Sequence, residues 1–151
     1  MVPMHRLLPG LIFLLMTSAA HGAERQALAS YTIVGDGIPA SLSDAPVDIK
    51  RGAAIVANRQ IGLCVLCHQL PASNEKIHSN IATNLAGAGS RWSEAQLRLR
   101  VVDSRQLDPG SVMPAYHRID GLTRVGATWA GRPILDARQI EDVVAYLVTL
   151  K

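Results

Sequence analysis

The chain carries a single phenylalanine, Phe13, which lies in an apolar stretch near the N-terminus. Beyond it the aromatic side chains are two tryptophans and three tyrosines, so a core must be drawn almost wholly from Val, Leu, Ile and Ala. Such a core is thin for one domain of this length, and further apolar bulk is needed. Cysteine is scarce too. With only Cys64 and Cys67 present, neither a disulfide-rich scaffold nor a four-cysteine zinc site can be built. Lysine is limited to Lys50, Lys76 and Lys151, and charges of both signs are interspersed at a formal balance of +3. That pattern gives no basic patch for nucleic acid. Internal repeats, a P-loop, a glycine-rich dinucleotide fingerprint and a Ser/His/Asp arrangement are all missing.

What is there begins with a leader. His5 and Arg6 precede the apolar run Leu7–Met16, broken by Pro9 and Gly10, and small residues follow at Thr17-Ser18-Ala19-Ala20 and Gly22-Ala23. The pattern predicts a secretory signal over residues 1–23, cleaved after Ala20 or Ala23, and it is too short for a stable membrane span. The remaining chain is thereby expected in the bacterial periplasm. Residues 24–46 hold Gly35, Gly37, Pro39 and Pro46 without a sustained helical period. An extended N-terminal segment is expected there, wrapping the domain or reaching a partner. Residues 47–151 form one domain.

The most specific stretch is Cys64-Val65-Leu66-Cys67-His68. This is the spacing that attaches a c-type haem: each thiol adds across a vinyl group, and the histidine stands beneath the ring as proximal iron ligand. A small disulfide, half of a zinc site and a thioredoxin-like redox pair are the competing readings. Zinc lacks further cysteines, and the residues before Cys64 have a helical pattern where a thioredoxin-like pair expects a strand. One motif means one covalent haem c, which also supplies the missing aromatic bulk.

Leu107 to His117 is the second informative stretch. Asp108-Pro109-Gly110 makes a turn, and Pro114 keeps Met113 extended. Met1, Met4 and Met16 belong to the leader, so Met113 is the only methionine after it and is the expected sixth iron ligand. His117 and His78 are the alternatives on that side, each otherwise a polar loop residue.

Three helices are expected around these stretches. The first is capped by Asp48, runs to about Asn58 and carries an unexplained Gly52 that fits the close approach of another helix. The second starts at Ser93 and ends near Asp103 or Ser104. The last is capped by Asp136 and spans Ala137–Leu150, with Ile140, Val143, Val144, Leu147 and Leu150 on its apolar face. Tyr146 flanks that face and is placed to pack on Gly52. Trp92, with Arg91 or Arg98, is a candidate for the haem edge and a propionate; ordinary core packing is the plainer reading. Gly121 to Pro133 reads as loop with a short strand pair.

Helix, Cys-x-x-Cys-His, methionine loop and C-terminal helix together resemble a class I cytochrome c over about residues 47–151. The implied fold is all-α, a single domain whose N- and C-terminal helices cross around one covalent haem. Gly62-Leu63-Cys64, the run Leu97-Arg98-Leu99-Arg100-Val101-Val102-Asp103, Met113-Pro114-Ala115-Tyr116-His117 and the ending Leu135 to Leu147 resemble more closely the SoxX family, monohaem subunits of the SoxAX cytochromes of sulfur oxidation. Ile81 to Gly87 departs from the Gly-Pro-rich segment of many relatives. That resemblance implies electron transfer by this chain, with haem held by Cys64 and Cys67, iron bound by His68 and Met113, and no catalytic residue of its own. It also implies a SoxA partner in a heterodimer, whose reactive cysteine performs the thiosulfotransfer that couples thiosulfate to a cysteine of the SoxYZ carrier. A small cytochrome c would accept the electrons. The alternative is a free-standing carrier, against which the scarcity of lysine argues.

Overall fold

The computed structural model describes residues 28–71 and 79–151. The expected leader and His78 lie outside them. Four α-helices carry the described fold: α1 (Ile49–Ala57), α2 (Ala88–Arg91), α3 (Glu94–Asp103) and α4 (Ala137–Thr149). Single 3₁₀ turns occur at Cys64–Leu66, Ser104–Gln106 and Ala127–Trp129. No strand is formed among the described residues; a lone antiparallel bridge joins Val34 and Gly37.

Each long helix starts where its capping residue dictates. The Asp48 carboxylate accepts the Arg51 amide at 3.0 Å. Ser93 with Gln96, and Asp136 with Gln139, form reciprocal capping boxes, so two otherwise orphan donors are satisfied at each start. α1 then crosses α4 at Gly52. A Cβ added there would overlap the Asp142 carbonyl and stand 3.1 Å from the Tyr146 Cβ, so only glycine allows the backbones this close. Ile55 and Val56 of α1 are buried with Ile140, Val143, Val144 and Leu147 of α4 and with Leu97, Leu99, Val101 and Val102 of α3.

From residue 28 to Asp48 the N-terminal segment forms no helix and is tied to the domain. Ile38 and Leu42 enter the core, and the Ile38 amide donates to the Ala95 carbonyl at 2.9 Å. The deepest anchor is ionic. Arg98, 2 % exposed, meets Glu141, 3 % exposed, through two hydrogen bonds of 2.8 and 2.9 Å. Arg98 also donates to the Ile38 carbonyl at 2.8 Å, and Glu141 accepts the Leu42 amide at 3.0 Å. A buried pair this well satisfied offsets its desolvation cost, and it grips the segment from both sides.

The strand pair expected between Gly121 and Pro133 is absent. Gly121, Arg124 and Gly131 all adopt positive φ and turn the chain too often for a ladder to form. A 3₁₀ turn at Ala127–Trp129 stands in its place.

Candidate haem site

The attachment motif hangs from the end of α1. Asn58 accepts the Gln60 and Ile61 amides on its side chain at 2.8 and 2.9 Å, while its carbonyl receives the Leu63 amide at 3.0 Å. The chain is reversed in this way. Leu63 sits at φ 61°, in the left-handed region that L side chains resist. Cys64–Leu66 then makes one tight turn, closed by the Cys67 and His68 amides on the Cys64 carbonyl at 3.1 and 2.9 Å. Both sulfurs are thereby carried on one compact turn, and they are not joined as a disulfide.

Cys64, Cys67, His68 and Met113 all line one cleft, part of it open to solvent. Val56 of α1, Val101 of α3, Val143 and Leu147 of α4, and Ile81 and Leu85 of the loop after the motif complete the walls. Among the described residues no Lys, Arg, Asp or Glu contributes to them. The donor set fits a c-type haem: two thiols on one turn, an imidazole directly after, and a thioether from a separate loop in an apolar surround. The zinc reading finds no support, since no group of three or more His, Cys, Asp and Glu among the described residues is placed to hold a metal ion.

Each donor is held by its neighbours. His68 Nδ1 donates to the Thr83 carbonyl at 2.6 Å, which leaves the lone pair on Nε2, the arrangement a metal-binding imidazole needs. The Met113 backbone is held at both ends. Its amide donates to the Ser111 hydroxyl at 3.3 Å, and its carbonyl faces the Ser104 hydroxyl at 3.4 Å; the two hydroxyls are themselves 2.9 Å apart. Burial pushes the Cys64 thiol up to about 11, so it keeps its proton at neutral pH and is slow to oxidise.

Several expectations need correction. His117 lies in a turn as expected but is buried, 3 % exposed; its Nδ1 donates to the Leu135 carbonyl at 3.0 Å, and it does not line the cleft. Arg98 is consumed by Glu141 and is unavailable to a propionate. Trp92 also lies outside the cleft walls, stacked under Arg91 and Arg100 at 4.9 and 4.6 Å from the ring centroid. Conversely, Tyr116, Ser104, Ser111 and the Thr83 carbonyl all support the site without having been singled out. Only Tyr116 had a local signal, as an aromatic three residues beyond the expected ligand.

The comparisons with known proteins agree with this geometry. Among solved structures the chain is similar to one in the crystal structure of SoxXA from P. pantotrophus, with 42 % identity over 80 % of this chain and 94 % of that one and a TM-score of 0.73. No curated protein matches. A family model for cytochrome c matches residues 49–151, from the first turn of α1 to the last residue, and the chain therefore belongs to the cytochrome c family, in its SoxX branch.

Proposed function

We propose that this chain is the monohaem electron-transfer subunit of a SoxXA-type complex in the bacterial periplasm, with residues 1–23 removed on export. Membership of the cytochrome c family implies covalently bound haem c. To this chain we assign one such haem, with thioethers at Cys64 and Cys67 and iron ligands His68 and Met113. When bound, the haem supplies a one-electron iron couple whose reduced state is favoured by His/Met ligation. The chain's own residues bind and tune it. Thr83 fixes the imidazole through its Nδ1–H, Ser104 and Ser111 hold the methionine loop, and the apolar walls exclude water. His68 and Met113 would both be committed to holding the iron, so the cleft would serve electron transfer and not substrate binding. Bond formation between thiosulfate and a cysteine of SoxYZ then belongs to a SoxA-type partner, and the haem that Cys64, Cys67, His68 and Met113 would hold would supply the one-electron relay toward a small cytochrome c.

The observation that carries this reading is the convergence of the four donors on one uncharged cleft, in a chain 42 % identical to one of SoxXA. The rim supports it. Leu66, Ile81 and Val112 line the cleft and are 39 %, 70 % and 83 % exposed, which suits a lasting apolar contact better than charge-steered encounters. Among the described residues no helix is long and apolar enough to cross a membrane.

The test is the native mass and haem count of the protein purified from its own periplasm. Co-purification with a second, haem-bearing subunit is the expected result. A one-haem monomer eluting alone at low salt would leave a free-standing carrier. Met113→Ala is expected to lose the methionine–iron absorption band and to lower the reduction potential; an unchanged spectrum removes Met113 from the iron.

A further inference from the structure

The two halves of the cleft come from segments far apart in the chain, and one side chain ties them together. Tyr116 is 3 % exposed. Its hydroxyl donates to the Gly62 carbonyl at 2.6 Å across 54 positions and stands 4.0 Å from the Cys64 sulfur. The Cys64 thiol donates to the same carbonyl at 3.2 Å. Thioether formation consumes that S–H, after which the phenol is the donor that remains.

The segment held in this way resists its own conformation. Gly62 has no room for a side chain, since an added Cβ would overlap the Ile55 carbonyl. Leu63 sits at positive φ, a region it reaches only when its surroundings enforce it. On the other side, Tyr116 is joined to Met113 by two residues only, Pro114 and Ala115. Its own backbone is fixed where its carbonyl accepts the Leu135 amide at 3.0 Å and where the next amide, that of His117, donates to Val102 at 3.2 Å.

We propose that Tyr116 is a positioning residue that couples the methionine loop to the haem-attachment turn: its hydroxyl holds the Gly62–Leu63 turn in place and so sets where Cys64 and Met113 stand relative to each other. This rests on the ligand assignment above. Burial, foremost, raises the phenol's pKa above the ordinary tyrosine value, so the donor proton persists into alkaline solution.

Tyr116→Phe, made in the full haem-loaded protein, keeps the ring and removes the bond. The methionine–iron band is expected to weaken, and the pH at which that ligand is displaced to fall by about one unit, a tenfold change of the size one neutral hydrogen bond supplies. Leu63→Gly relieves the turn, so Tyr116→Phe should shift the displacement pH much less in that background. A lower melting temperature with unchanged band and displacement pH would make Tyr116 a core filler and overturn the proposal. So would an equal shift in both backgrounds. A wild-type protein without any methionine–iron band would instead point to failure of the ligand assignment itself.

Discussion

On the side of the domain that carries the N-terminal segment, Arg98, Asp103, Glu141 and Asp142 are each no more than 3 % exposed. Around the cleft no such residue among the described ones contributes to the wall, and several apolar side chains face outward instead. The first region is closed by partners the chain contains. Glu141 answers Arg98, and Asp142 receives both Arg51 and the Asp48 amide, at 2.8 and 2.7 Å. The second is an apolar surface with too little aromatic mass to cover itself. Charge is thus concentrated where the polypeptide completes its own contacts and absent where a flat, apolar macrocycle is to be enclosed.

The largest expected effect lies in the charged region. Glu141→Ala leaves Arg98 buried without its carboxylate and should lower stability by about 3–5 kcal/mol, read from denaturant midpoints. Replacing both partners at once, Arg98→Met with Glu141→Leu, should recover most of that loss; failure to recover would mean that the grip on Ile38 and Leu42 matters more than the pair. Next comes Gly52→Ala, where a methyl group must displace the α4 backbone, at about 1–3 kcal/mol. An unchanged melting temperature would show that the crossing can slide apart freely. Asp48→Ala should have a smaller effect, and one that depends on pH. The Arg51 amide, the main cause, holds the Asp48 carboxyl below its ordinary value of 3.8, so its contribution is present above that pH and is lost as pH falls through the lower folded-state value. Wild type and variant should accordingly converge in acid; a constant gap would assign the effect to helix propensity. At the cleft mouth, Val112→Ser should leave stability within about 0.5 kcal/mol while weakening capture of the haem-bearing partner. Equal capture would take Val112 out of that contact.

The contrast also explains how much of the molecule was legible from its residues. Asp48, Ser93 and Asp136 are caps recognisable without any tertiary knowledge, because the amides they satisfy are only two or three positions away. Gly52 announced a crossing, since a mid-helix glycine is costly unless something approaches it. Cys64, Cys67, His68 and Met113, which line the cleft, could be singled out by their spacing and their scarcity. Arg98 could not: on its own helix it resembles a surface arginine, and the carboxylate that neutralises it lies 43 positions away. The bond from Tyr116 to Gly62 was hidden for the same reason. Gly121 to Pro133 misled in the opposite sense, because its composition allows a hairpin, and of the three positive-φ residues that redirect it Arg124 has no turn signature.

The Asp48 amide and the Asp142 carboxylate that meet at the α1–α4 crossing are 94 positions apart. Closing so long a loop comes late, because its entropy is spent before the contacts return anything. Val143 and Leu147, which complete the cleft wall, lie on α4, the last 13-residue helix of the fold. Until that helix has been delivered and docked, Cys64 and Cys67 ride on a chain that still lacks one side of their chamber. Docking of α4 therefore sets the earliest moment at which the attachment turn acquires its full surroundings, and the two thiols must reach that moment reduced.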